Sequence, residues 1–224
     1  MTDTVSTPAS PPPARRRKKP LWIAAQGRCP SGFIGHLVAS VMARETAPEN
    51  SKTLDRLGLA PGQQVLEIGF GHGRTIARAA AQIGDGTVTG LDASPTMVRH
   101  ARRRNRAHIR DGRVDLHLGD GAALPFASGR FDRIFAVHTV YFWADPAAYF
   151  AEIQRTLRPG GRFVLCFRPG EDPGFRATFP TEIYHIRPAA EIACLMDRSG
   201  LELLDRTIEH LGARQIAWLT ATKN

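Results

Sequence analysis

Glu67, Asp92 and Asp120 each stand at or just past the end of an aliphatic run, and the first is followed by Gly69, Gly71 and Gly73 at every second position. Glycine lets the backbone take positive φ and lets a ligand come close to the main chain. The helix-forming residues that resume at Arg74 would offer free amide groups to that ligand. A carboxylate such as Asp92 can accept both hydroxyls of a ribose, and one such as Asp120 can accept from an adenine amino group. Glu67, just before the loop, would repel a pyrophosphate and attract an ammonium. These residue types at this spacing describe a nucleotide-type site, while a plain turn in an α/β sheet is the reading that the loop alone leaves open. His138, just beyond the run from Phe131 to Val137, is either a general base or a histidine hydrogen-bonded within its own loop.

Such residues meet only if the runs are neighbouring strands. Gln64 to Ile68, Thr87 to Leu91, Val114 to Leu118, Phe131 to Val137 and Arg162 to Phe167 read as strands. Helices over Thr75 to Ile83, Pro95 to Arg106 and Pro146 to Leu157 come between them, with turns at Pro61-Gly62 and Pro159-Gly160-Gly161. Alternation of this kind gives right-handed crossovers and a parallel sheet with helices on both faces, whose ligands bind beyond the carboxyl ends of the strands. After a helix from Pro188 to Arg198, Leu201 to Ile208 and Arg214 to Ala221 are strand-like and close enough to pair antiparallel. The expectation is an α/β, Rossmann-like, mostly parallel sheet of seven strands with an antiparallel C-terminal pair. Ahead of the first strand, Phe33, Ile34, Leu37, Val38, Val41 and Met42 fit one helix face behind Ser31, and a second helix runs from Pro48 to Leu57. Residues 21–58 thus read as a helical cap on a domain spanning 59–224, serving either as filler against the sheet or as a lid over its mouth.

The chain has 224 residues and a formal charge of +9, ample for one domain with a real core. Arg15, Arg16, Arg17, Lys18 and Lys19 lie among prolines in residues 1–20, a composition that cannot form a packed core. A second basic group, Arg99, Arg102, Arg103, Arg104, Arg106, Arg110 and Arg113, falls on and just after one helix. A solvated helix face accounts for it, attraction to an anionic membrane or substrate is the other reading, and the lack of interleaved aromatics disfavours nucleic acid. Cys29, Cys166 and Cys194 fit neither a disulfide framework nor a zinc site, so no metal is expected and a reducing cytosol is the default compartment.

A dinucleotide-dependent dehydrogenase would share the strand, the loop and the acid, but it needs a third glycine where Arg74 or Ile76 stands in either register. The ordered motifs resemble instead those of the class I S-adenosylmethionine-dependent methyltransferases. Val65-Leu66-Glu67-Ile68-Gly69-Phe70-Gly71-His72-Gly73 is similar to their first motif, Gly90-Leu91-Asp92-Ala93-Ser94 to the second-strand acid, and Gly119-Asp120-Gly121-Ala122-Ala123-Leu124-Pro125-Phe126 to the adenine loop. Phe131-Asp132-Arg133-Ile134 and Leu157-Arg158-Pro159-Gly160-Gly161 resemble the entry to the fourth strand and the turn before the fifth.

The resemblance implies an S-adenosylmethionine cofactor bound by Glu67, Gly69, Phe70, Gly71, Gly73, Asp92, Ala93, Met97, Asp120, Gly121, Ala122 and His138. Met97 would pack on the adenine or simply belong to the core. The reaction implied is methyl transfer to a small-molecule, lipid-like acceptor. Tyr141, Trp143, Phe175 and Tyr184 would wall the acceptor's place, or else seal core. His138 to Tyr141 lacks the Asn/Asp-Pro-Pro-aromatic signature of relatives acting on exocyclic base amines or glutamine amides, which again disfavours nucleic acid. Two alternatives stay open. One is another group transfer in the same fold, against which Glu67 speaks; the other is a non-enzymatic protein gripping nucleic acid or anionic membrane through its basic arm.

Overall fold

The computed structural model describes residues 18–28 and 46–224. The basic tail up to residue 17 and the helix expected through Phe33 to Met42 lie outside the described residues. Strands β1 (Gln64–Ile68), β2 (Thr87–Asp92), β3 (Val114–Leu118), β4 (Phe131–Val137) and β5 (Leu157–Phe167) pair in parallel. β6 (Glu202–Leu211) and β7 (Arg214–Thr222) are antiparallel, with β7 against β5. Among the described residues they form one sheet in the order β3-β2-β1-β4-β5-β7-β6, the architecture that the alternation predicts. The chain winds outward from β1 through β2 to β3 and then returns to β4 on the other side. The crevice at the carboxyl ends of β1 and β4 is therefore a topological switch point, where sheets of this kind bind ligands.

Successive strand residues face opposite sides, so two cores form. Leu66, Ile68, Ile134, Ala136, Phe163 and Leu165 enter one, which also takes Ala24 of α1 (Leu21–Arg28). Val65, Phe135, Val164, Cys166 and Trp218 enter the other. That second face is covered by α2 (Ala47–Leu57), α3 (Arg74–Gln82) and α4 (Pro95–Arg104) through Leu54, Leu57, Ile76, Ala79, Val98 and Ala101. By the same alternation Glu67 points to the side of Val65, toward the helices that surround the loop.

The body of α2 packs on the sheet. Leu54 and Leu57 are fully buried, worth about 1.5–3 kcal/mol each. The Trp218 indole donates to Thr53 Oγ1 at 3.1 Å, and Arg133 Nε donates to the Leu57 carbonyl at 2.9 Å. Arg56 pairs with Asp205 at 2.7 Å and Glu209 at 3.0 Å, but such partly exposed pairs contribute only about 0–1 kcal/mol. Apolar burial, with the buried indole bond, sets the docking.

Several boundaries differ from expectation. The helix expected to reach Arg106 stops at Arg104 and a short α5 (Arg106–Arg110) follows, because Asn105 turns inward and its Nδ2 donates to the carbonyls of Gly73 and Ala101, each at 3.0 Å. β5 begins at Leu157 rather than Arg162: Leu157 already pairs with Phe131, the expected turn is looped out within the strand, and Arg158 answers Asp132 at 2.6 Å. The arginine group is exposed apart from the half-buried Arg113, as a solvated face would be, while Arg102 donates to the Leu116 carbonyl and Arg104 to the His72 carbonyl, each at 3.0 Å. α6 (Pro146–Thr156) and α8 (Ala189–Arg198) cover the first core, and α7 (Pro173–Thr178), which the sequence reading lacked, starts at Asp172, whose Oδ1 accepts from the Phe175 amide at 3.0 Å.

Candidate active site

A cleft of about 440 Å³ opens at the carboxyl ends of β1, β2 and β4. Its wall includes Glu67, Gly69, Phe70, Gly71, Asp92, Ala93, Met97, Asp120, Gly121, Ala122, His138 and Trp143, all expected from sequence. The loop after β1 takes positive φ at Gly69 (79°), Gly71 (53°) and Gly73 (67°). A side chain at Gly69 would strike Thr139, its Cβ only 2.2 Å from the Thr139 methyl, whereas a Cβ at Gly71 would meet nothing within 4 Å. Gly71 is thus the point where backbone lies open. Gly73 is on the far side of the loop and does not line the cleft: a Cβ there would meet Asn105 and Ala101 at 2.7 and 2.8 Å, so its glycine serves the packing of the loop on α4.

The Asp92 carboxylate secures this loop, Oδ2 accepting from the Gly71 amide and Oδ1 from the Ser94 amide, each at 2.8 Å. Glu67 is only 3% exposed, and its Oε2 has no hydrogen-bond partner. Burial, and then the neighbouring Asp92, push its carboxyl well above the ordinary range. Asp92 is raised as well, burial outweighing the two amides that favour its ionised form. Two buried carboxyls close together in a cleft create affinity for a cation, because an ammonium would relieve both the desolvation and the mutual repulsion.

Asp120 follows β3. Its Oδ1 accepts from the Ala122 amide at 3.1 Å and from the Tyr149 hydroxyl, while the Tyr149 ring stacks on Trp143 with centroids 4.4 Å apart and planes at 10°. Phe142, Trp143 and Tyr149 supply the aromatic wall. Tyr141, Phe175 and Tyr184, offered with Trp143 as an acceptor wall, do not line the cleft. They are 2–4% exposed and pack ring against ring, Tyr141 to Phe175 at 4.9 Å and Tyr141 to Tyr184 at 5.8 Å, because joining the core buries more of their surface than facing a wet cleft would. Met97 lines the cleft and is also buried, at 1% exposure.

His138 lines the cleft too. Its amide donates to the Cys166 carbonyl at 2.8 Å, Nδ1 lies 2.9 Å from the Tyr141 hydroxyl, and Nε2 is buried without a partner. Burial, then Arg214 and Arg168, lower its pKa to about 3, so the ring is neutral at physiological pH and a weak proton acceptor. The sequence reading missed Thr46, Asn50, Arg74, Thr139 and Tyr149. Asp145 and Tyr149, one helical turn apart and both at the cleft, carry a spacing that could have revealed them; Thr46 and Asn50 come from α2, whose place over the sheet no local pattern encodes.

Residues 66–165 match the family described as a methyltransferase domain. The chain is 36% identical over 111 residues to methyltransferase GfsG of Streptomyces halstedii, covering 50% of this chain and 40% of that protein. It is 33% identical over 114 residues to an O-methyltransferase of Pyrenophora dematioidea, covering 51% of this chain and 42% of that protein. The match thus spans about two fifths of the length of these relatives. Among solved structures, a geranyl diphosphate methyltransferase in complex with SAM superposes with a TM-score of 0.69 at 19% identity, covering 89% of this chain and 94% of that one, which is a likeness of fold.

Proposed function

We propose that the chain, whose residues 66–165 match a methyltransferase domain on a sheet of the order described, is a class I S-adenosylmethionine-dependent methyltransferase that moves a methyl group from that cofactor to a small, partly apolar acceptor. The observation that carries the proposal is the unpartnered, buried Oε2 of Glu67 in a cleft that also holds Asp92 and Asp120, at the carboxyl ends of two adjacent strands. An adenosine joined to an amino acid fits this set. Glu67 would meet the ammonium; Arg74, whose Nε is buried without a partner and which also lines the cleft, would meet the carboxylate; Asp92 would accept from the ribose and Asp120 from the adenine amino group. When bound, the cofactor supplies a methyl on a sulfonium, a leaving group that needs no activation.

The chain's own contribution is alignment and exclusion of water. Gly71 lets the backbone approach closely, and the ring faces of Phe142, Trp143 and Tyr149 present an apolar wall that favours positive charge at the reacting centre. That wall supports the acceptor class, as do relatives named as O-methyltransferases and the geranyl diphosphate enzyme that shares the fold. Calorimetry with S-adenosylhomocysteine tests the cofactor reading, with micromolar-range affinity expected and no detectable heat as the refuting result. Incubation with methyl-labelled cofactor and fractionated lipid and metabolite extracts tests the acceptor; label confined to polynucleotide or protein would overturn it.

A further inference from the structure

His138 is at φ 57°, which no other non-glycine residue among the described residues shares in sign. The left-handed region costs an L-residue about 1–2 kcal/mol. Strain of this kind persists where the surroundings over-determine the residue, and it gathers at functional sites. Here the surroundings are the Cys166 carbonyl, which holds the amide, and the Tyr141 hydroxyl, which holds the ring.

The tautomer of that ring follows from accounting for protons. The Tyr141 oxygen accepts from the Arg168 amide and lies 2.9 Å from His138 Nδ1. Burial keeps the Tyr141 phenol protonated, its pKa well above the usual value. An amide nitrogen can only donate, so Nδ1 is the acceptor in reach of the phenol proton. Protonating Nδ1 instead would leave a buried phenol proton unbonded, at a cost of about 1–3 kcal/mol. Nδ1 therefore accepts, and the neutral ring carries its hydrogen on Nε2. A doubly protonated ring is disfavoured by burial and by the guanidinium groups of Arg214, paired with Glu49 at 2.9 Å, and Arg168, paired with Asp172 at 2.8 Å. The result is a buried N–H without a protein partner, on a ring that lines the cleft.

We propose that His138 is a hydrogen-bond donor rather than a base, its Nε2–H fixed by the relay from the Arg168 amide through Tyr141, and that the methyl acceptor presents an oxygen lone pair to it. The acceptor is then an enolate, a phenolate or a carboxylate, whose oxygen has lone pairs to spare, and not an amine, whose single lone pair must be left free to attack the methyl. This rests on the methyltransferase reading and narrows its substrate class. In the transfer, the acceptor's electron pair forms the bond to the methyl carbon as the carbon–sulfur bond breaks with its pair passing to sulfur. No proton passes through His138. Its N–H holds the acceptor oxygen and lowers that oxygen's proton affinity, so the acceptor reacts in the deprotonated form.

Imidazole proton–nitrogen correlations on nitrogen-labelled full-length protein with S-adenosylhomocysteine present, from about pH 5 to pH 8, read the tautomer without any turnover. The Nε2–H form should hold throughout, and Tyr141→Phe should release a mixture of tautomers while S-adenosylhomocysteine still binds. An Nδ1–H ring in the wild type, or an imidazolium anywhere in that range, overturns the donor assignment. With S-adenosylhomocysteine bound, benzoate and acetate should move the Nε2 proton downfield and aniline should leave it in place. A response to aniline instead, or to none of the three, overturns the acceptor class. Loss of S-adenosylhomocysteine binding itself would instead sink the methyltransferase reading.

Discussion

Replacing Glu67 by glutamine separates two consequences of one buried carboxyl. In the folded protein the group is nearly inaccessible, one of its oxygens is unpartnered, and its pKa is raised by burial and then by Asp92. A folded-state pKa above the unfolded value means that folding favours the protonated acid. Stability is then greatest below the unfolded value of about 4.3 and falls as pH rises from there through the folded value. Glutamine has no such slope. Glu67→Gln should therefore match the wild type in urea denaturation near about pH 4 and exceed it near about pH 8. Ligand affinity should move the opposite way. Leaving a buried ammonium without its carboxylate costs about 2–5 kcal/mol, and a loss of about 3 kcal/mol is about a hundredfold in Kd. Calorimetry with S-adenosylhomocysteine measures this. Below the raised pKa, wild-type binding should also expel a proton, seen as a heat that varies with buffer ionisation enthalpy, and the variant should not. An affinity within about threefold of wild type, well under the 1.4 kcal/mol of one decade, would refute the idea that Glu67 faces a cationic group.

Asp92→Ala strands the amides of Gly71 and Ser94, so it should lower unfolding free energy by about 1–3 kcal/mol for each amide that stays buried, as well as abolish S-adenosylhomocysteine binding. Asp92→Asn, which keeps one acceptor, should fall between in denaturant midpoint. Gly69→Ala drives a methyl into Thr139 at a left-handed residue; adding Thr139→Ser should restore the steric part and leave about 1–2 kcal/mol of backbone strain, and a double variant no better than the single would mean that the loop is not packed against Thr139. Thr53→Val leaves the Trp218 indole unpaired at a cost of about 1–3 kcal/mol, measurable as a lowered Tm in a thermal melt.

The strand order and the acids following β2 and β3 were legible because they depend on short periodic runs and on where those runs stop, both local properties of the chain. Gly73 shows the limit of that reading: expected to bind the cofactor, it does not line the cleft and instead packs against Asn105 across the helix pair, a contact that spacing does not reveal. The aromatic residues were legible as a group and not as individuals. Trp143 and Tyr141 are two residues apart and both join the first core, yet only Trp143 also borders the cleft, because the short turn Val140–Phe142 that leads into Trp143 has no period from which facing could be read. Thr46 and Asn50 were invisible because their place depends on α2 lying across strands made from the far end of the chain.

That last arrangement orders events in time. α2 precedes every strand along the chain, yet Trp218, Asp205 and Glu209, which hold it, lie on the last two strands. Contacts so distant in sequence form late, since closing the long loop between them is entropically unfavourable until the intervening sheet exists. During synthesis, α2 can therefore settle on β4 and β5 through Arg133 and Arg162 before its contacts to β6 and β7 exist, and the cleft wall at Thr46 and Asn50 is fully secured only when those last strands have been added. Ligand binding then acts as a check on completion. Whatever occupies the cleft stabilises the finished domain in proportion to ln(1 + [L]/Kd) and gives an incomplete chain less protection, so occupancy and proteolytic survival should rise together.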